Sequence, residues 1–344
     1  MRFIPLLSAL FWAGLLSAQT PNNIEAVEHD PAGNRWFVSN GSSLLVTENQ
    51  GADWAFFGEA QASHGMEVMG DVLYAIGSNV IRAYSLDNAE ELGALVIPGV
   101  GFLNGLGSDG NGTLVVSDFS GGRLYTVDAT EPQQMSHSLL AGNFGETPNG
   151  VVMDPANNRA IVVCWGGNAP ILSVDLESGE VTPLVEGTGL GNLDGIDDDG
   201  NGAYYVSSWS PTRITRYTDN FSQSETVVTG AGGLSNPADI SYATTLDTLG
   251  VANSGNNAVT FHGFSTASVA NAAVAFEACR WGPDLSVRLS KSAVVKVHAW
   301  DAAGRLCFAR SEFLPSGRVR FPLPALPAGV VIRVESDGAV RTVR

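Results

Sequence analysis

Residues 191–217 read GNLDGIDDDGNGAYYVSSWSPTRITRY. A polar residue stands before a Gly. An acidic, Gly-rich turn follows, then a β-branched and aromatic run, a polar turn and a second alternating run. The same order recurs along most of the chain. The copies open at Ile24-Glu25-Ala26-Val27, Ser63-His64-Gly65-Met66, Leu103-Asn104-Gly105-Leu106, Pro148-Asn149-Gly150-Val151, Leu193-Asp194-Gly195-Ile196 and Pro237-Ala238-Asp239-Ile240. The period is about 40–45 residues, in the range of propeller blades. Each opening leads into a β-rich run, such as Trp36-Phe37-Val38 or Tyr204-Tyr205-Val206. The turns AspProAlaGlyAsn (30–34), AspGlyAsnGly (109–112 and 199–202) and AspProAlaAsnAsn (154–158) supply the residues that tight connections need. Six copies of about four short strands predict an all-β fold, a six-bladed β-propeller. A helical solenoid would need apolar residues at a 3.6-residue spacing, which the copies lack.

In a propeller the first strand of each blade lines the central channel. The residue before each Gly then faces the axis, and the Gly lets the backbones crowd there. The predicted ring is Glu25, His64, Asn104, Asn149, Asp194 and Ala238. The last assignment aligns Pro237 with Pro148; a slip of one residue would place Asp239 in the ring instead. Asp109, Asp154 and Asp197 to Asp199 read as turn formers. Trp165 and Trp209 follow the β-runs of successive blades and read as inter-blade packing.

The two ends differ from this core. Arg2 and the apolar stretch Phe3 to Leu16, followed by Ser17-Ala18, read as a signal peptide over residues 1–18. The propeller is expected over 22–268 and a small β-sandwich over 275–344. From residue 269 onward there are 11 basic and 6 acidic residues, against 7 and 29 before it. That step in charge marks a boundary. The acidic larger part lacks the basic face that phosphate binding requires, which excludes nucleic acid as a partner and favours cations or neutral ligands. No other stretch is apolar for long enough to predict a membrane span. Cys164 reads as buried, and an exported chain permits a Cys279–Cys307 bridge.

The ring carries the chemistry. Two carboxylates and two amides converge, and no Arg or Lys opens a copy to neutralise Glu25 and Asp194. Buried unpaired charge is costly, and a hard divalent cation would relieve it. Carboxylate and amide oxygens suit calcium; zinc would want more nitrogen or sulfur than His64 supplies. The bland alternative is a water-lined channel whose residues hydrogen-bond across it.

PNGVVMDP (148–155) and LDGIDDDGNGAYYVSSW (193–209) resemble the fourth and fifth blades of the senescence-marker-protein, gluconolactonase and luciferin-regenerating family. Several members are metal-dependent lactonases. The resemblance implies metal ligands at Glu25, Asn149 and Asp194, with Asp194 also the catalytic base. It implies substrate binding by Asn104, and His64, beside it in the ring, is the second substrate-binding candidate. On that reading the ion polarises a lactone carbonyl and Asp194 takes or positions the proton of the attacking water. Leu103-Asn104-Gly105 omits the Asp usual in the sugar lactonases, and the arginine that contacts sugar acids has no counterpart. The repeat also resembles NHL-type binding propellers, which would bind a small molecule without catalysis.

Over 275–344, short runs such as Leu285 to Leu289 and Val294 to Ala299 alternate as strands. WDAAGRL (300–306), PLPALPAGVVIRV (322–334) and the basic end at Arg341 and Arg344 resemble the type A C-terminal sorting domain of the type IX secretion system. The implied partner is that machinery, and the implied destination is the cell surface or medium.

Overall fold

The computed structural model describes residues 18–264, 277–281, 284–289, 293–300, 306–314, 317–323, 331–336 and 339–343. All but Ala18 of the expected signal peptide lies outside these residues. The chain divides into two compact units after Phe264.

The first unit is the six-bladed β-propeller that the repeats predict. Blade 5 shows the plan: Gly191–Asp198, Tyr204–Ser210, Thr212–Thr218 and Gln223–Thr229 form an antiparallel sheet in sequence order. The innermost strands are Val27–Asp30, Met66–Met69, Leu103–Ser108, Thr147–Asp154, Gly191–Asp198 and Pro237–Ala243. Each packs beside its neighbours' innermost strands around the axis. Apolar side chains of adjacent blades interleave, as where Val115, Leu124, Val151 and Val162 meet between blades 3 and 4. Fully burying one such side chain contributes about 1.5–3 kcal/mol.

The ring is tight at its narrow end. A Cβ on Gly105 would stand 2.3 Å from the Asn149 carbonyl oxygen, and one on Gly150 2.3 Å from that of Asp194. Only Gly allows such backbone approach. Three buried serines fasten the same level. Gly105 N donates to Ser117 Oγ (2.8 Å), which donates to the Asn149 carbonyl of the next blade (2.7 Å). Gly195 N, Ser207 Oγ and the Ala238 carbonyl repeat the arrangement at 2.7 Å each. Ser39 accepts from Glu25 N and Ala26 N.

Blade 6 has three strands among the described residues, Pro237–Ala243, Thr248–Asn253 and Ala258–Gly263. The N-terminal segment does not supply a fourth. Gln19 bridges Trp54 in blade 1 instead. Closure comes from packing and polar ties. Ile24, Trp36, Trp54, Ala243 and Ala252 share a core, and Phe261 stands edge-on to Trp36 at 5.0 Å. Asn257 Oδ1 accepts from Asn23 N (2.7 Å), and Asp239 N donates to the Glu25 carbonyl (2.9 Å).

The two Asp-Pro turns do more than reverse the chain. Asp30 and Asp154 each hold the arginine five residues on, Arg35 and Arg159, at 2.8 Å. Those arginines reach the next blade, at the Leu86 carbonyl and at Asn220 Oδ1.

The described strands of the second unit form two antiparallel sheets. One contains Glu277–Trp281, Asp284–Leu289 and Gly317–Pro322; the other runs in the order Leu306–Leu314, Ala293–Trp300, Val331–Ser336, Ala339–Val343. Val295, Val297 and Ala299 are buried while Lys296 is exposed, as alternation demands. Cys279 and Cys307 lie on different sheets, and the Cys279 side chain lies outside the described set. So do residues 301–305 and 324–330 of the two sorting motifs. Among the described residues no helix is long and apolar enough to cross a membrane.

Candidate metal centre

The register around the axis decides the ring. A Cβ on Gly195 would meet Asp239 Cα at 2.7 Å, as one on Gly150 would meet Gly195. Asp239 therefore fills the slot that Gly holds in blades 2 to 5, and Ala238 aligns with Asp194. Glu25, His64, Asn104, Asn149, Asp194 and Ala238 thus align at one level of the ring, Glu25 and His64 two residues before the innermost strands of their blades.

Asn149, Asp194 and Glu25 converge. Asn149 Nδ2 donates to Asp194 Oδ1 and to the Leu193 carbonyl, both at 3.1 Å. Asn149 is 1% exposed, and its Oδ1 accepts no hydrogen bond. Burial holds the Asp194 carboxyl well above its ordinary range, and the charges of Glu25 and Asp239 raise it further. Asn149 opposes that rise. Trp209 turns its indole N–H toward the same carboxylate and also opposes it, but the approach is too loose for a full hydrogen bond and Nε1 stays unsatisfied. Burial raises Glu25 to about 7.

His64 and Asn104 make other contacts. His64 Nδ1 pairs with Ser63 Oγ at 2.8 Å, and its ring stands edge-on to Phe102 at 4.5 Å. Burial pushes its pKa down to about 4, so it is neutral at pH 7. The Asn104 carbonyl accepts from Gly65 N at 2.9 Å.

A second tier lies three residues further along the innermost strands, and the sequence reading missed it. Glu28, Glu67 and Asp197 come from blades 1, 2 and 5, and the charges of Glu28 and Asp197 both raise Glu67. Blades 2 and 5 face each other across a six-membered ring, so these side chains point toward one another across the axis. Each grips the following blade: Glu28 Oε1 accepts from Val68 N (3.1 Å), Glu67 Oε2 from Ser108 Oγ (3.0 Å) and Asp197 from Tyr242 N. In blade 6 Ser241 Oγ accepts from His29 N (3.1 Å). Asp197 is thus an inter-blade clamp and not a turn former. The turn role belongs to Asp198, which accepts from Gly200 N, and to Asp199, which accepts from Asn201 N and Ala203 N. Burial is the first cause of the raised pKa of Glu28, to about 7, and of Asp239, to about 8. Among the described residues no arginine or lysine is among the main influences on any of these six carboxyls. Asp194 is buried, and the other five are only partly exposed.

The donor set at the upper level fits a hard cation. Glu25 and Asp194 bring carboxyl oxygens whose protons a cation would displace, and Asn149 adds a buried amide oxygen without a donor. Among the described residues no three His, Cys, Asp or Glu side chains form a ready metal cage, so this centre depends on the amide.

No family model and no curated protein matches the chain. Solved structures match its fold. A protein of unknown function from Bacteroides thetaiotaomicron aligns over 72% of this chain and 70% of its own, at 9% identity and a TM-score of 0.58. The calcium-binding protein regucalcin from Agrobacterium tumefaciens aligns over 69% and 84%, at 13% identity and 0.55. Hydrazine synthase from Kuenenia stuttgartiensis aligns over 72% and 79%, at 13% identity and 0.51. At such identities the likeness is one of fold.

Proposed function

We propose that the propeller binds a divalent cation, calcium by its donor set, through Glu25, Asn149 and Asp194, and hydrolyses a lactone or related ester there. The observation that carries this reading is the Asn149 Oδ1, a buried acceptor without a donor on the side chain that holds Asp194, whose carboxyl feels the charge of Glu25. A calcium-binding neighbour of the same fold supports it.

When bound, the ion would polarise the ester carbonyl and acidify a water molecule. The chain's own groups do the rest. Asn149 fixes Asp194 through Nδ2, which keeps one carboxylate oxygen engaged. Asp194 then holds or passes a proton at its other oxygen. The neutral His64 offers a hydrogen-bonding nitrogen without charge, and Asn104 orients the ring of the substrate. The inter-blade clamps hold these side chains in register.

We further propose that the protein is exported, and that residues 275–344 form a sorting β-sandwich read by a type IX secretion machinery. Deleting that segment should hold the propeller inside the outer membrane.

The test of the activity is Asp194→Asn assayed on a panel of lactones and esters with calcium present. The substitution should abolish hydrolysis while the circular dichroism spectrum is kept. Calcium binding by the wild-type chain without hydrolysis of any panel member would leave a binding propeller and refute the enzyme reading.

A further inference from the structure

An arc of aromatic rings runs along the face of the ring that carries the candidate metal centre. Innermost strands start at this face and second strands return to it, so residues before the former and at the end of the latter share it. His64 and Phe102 precede innermost strands. Phe119 follows the second strand of blade 3, and Trp165 and Trp209 stand at the ends of those of blades 4 and 5. The rings touch in sequence: His64–Phe102 at 4.5 Å, Phe102–Phe119 at 5.8 Å, Phe119–Trp165 at 6.0 Å and Trp165–Trp209 at 4.9 Å. All five are only half-buried. The run spans four blades, ends beside Asp194 at Trp209, and borders a cavity of about 440 Å³ at its His64–Phe102 end.

The rest of the face has a different character. At the ends of the second strands of blades 6 and 1 stand Asn253 and Asn40. Both are spent on backbone, at Ser235 N (2.9 Å) and Asn22 N (2.6 Å). The apolar surface is therefore one-sided. Packing between blades needs no continuous chain of rings left half open to water, and aromatic surface kept wet is a feature of binding faces.

We propose that this arc binds a flat aromatic ring of an uncharged ligand, so that the substrate class is aryl-bearing lactones or esters and not sugar acids. This rests on the metal-centre reading given above. Two observations fix the chemistry. Edge-to-face rings present alternating π-faces and positive edges, which a further aromatic ring matches in stacked or T-shaped contact. Anionic ligands are disfavoured, because the part of the chain before residue 269 carries 29 acidic residues against 7 basic ones.

The test uses two lactams, which keep the carbonyl and resist hydrolysis: δ-valerolactam and its aryl-fused counterpart 3,4-dihydro-2(1H)-quinolinone. Titration calorimetry on the calcium-loaded full chain should show the aryl lactam binding at least about tenfold more tightly, the scale of two favourable ring contacts. Trp165→Leu and Phe119→Leu, neither of which touches Asp194, should each reduce that preference to about threefold or less. Thermal unfolding confirms that each variant is folded. Equal binding of the two lactams, binding of neither, or a preference that survives both substitutions overturns the proposal. Calcium is titrated first. Calcium binding without aryl preference refutes the arc alone, whereas aryl preference without calcium binding refutes the metal reading and leaves the arc standing.

Discussion

Raising the pH of the metal-free protein from 6.5 to 8.5 should destabilise the propeller. Folding raises Glu25 and Glu28 from 4.5 to about 7 and Asp239 from 3.8 to about 8. A carboxyl whose folded pKa lies above its unfolded one binds protons better when folded. Its contribution is complete at low pH and is lost as pH climbs through the folded value. His29, His64 and His262 act in the opposite sense, because burial lowers them. Their contribution still grows across this window, by at most about 0.4 kcal/mol each as the unfolded histidines lose their last protons above about pH 6.5, about 1 kcal/mol together. Within the window, integrating the proton difference gives about 1 kcal/mol lost for Glu25, the same for Glu28 and about 2 for Asp239. These groups border an axis that water reaches, so halving their total for screening leaves about 2 kcal/mol, and the histidine gain reduces the net loss to about 1 kcal/mol. For a unit of this size that is a fall of about 2–4 °C in Tm. The assay is thermal unfolding followed by circular dichroism in a chelator at both pH values, repeated with excess calcium. Calcium binds the deprotonated carboxylates, so its stabilising shift should grow with pH. A metal-free Tm that is flat or rises between pH 6.5 and 8.5 would refute the reading that these carboxyls are crowded, desolvated and without counter-charge.

Other perturbations probe the frame and the site. Gly150→Ala drives a Cβ to 2.3 Å from the Asp194 carbonyl oxygen, a clash between two backbones. It should cost about 3 kcal/mol or more, read as a large loss of Tm or of soluble protein. Gly167→Ala, with open space around it, is the neutral control. Ser207→Ala strands the buried Gly195 N–H and the Ala238 carbonyl, and a denaturant titration should show about 2 kcal/mol lost with an unchanged m-value. Asn149→Ala removes the donor to Leu193 and Asp194 as well as the spare oxygen. It should cost the metal-free fold about 1–3 kcal/mol and weaken calcium binding by more than tenfold in calorimetry.

Much of this was legible in the residues before any geometry was known. The recurring openings gave the blade count, and the residue before each Gly gave the ring of six. The ambiguity at Asp239 turned on a register that only the backbone contacts between Gly195 and Asp239 resolve. Reading DDDGNG as one turn assigned Asp197 wrongly for a related reason. A strand of period two puts Asp194, Ile196 and Asp198 on one side, so Asp197 would point away from the ring residue. The innermost strand is irregular between Leu193 and Ile196, as it is between Pro148 and Val151 and between Pro237 and Ile240. That irregularity brings residues three apart to the same side and hides the second tier of carboxylates from pattern reading. The aromatic arc was hidden differently. Trp165 and Trp209 do pack across blades, as their positions suggested. Their continuity with Phe119, Phe102 and His64 follows from antiparallel return of the strands, which no single copy displays.

The most direct test of the metal centre is a crystal structure of the protein grown in calcium. The expected result is an ion at the axis bound by Asn149 Oδ1 and by carboxylate oxygens of Glu25 and Asp194. An ion held instead by Glu28, Glu67 and Asp197, or no ion at saturating calcium, would contradict it.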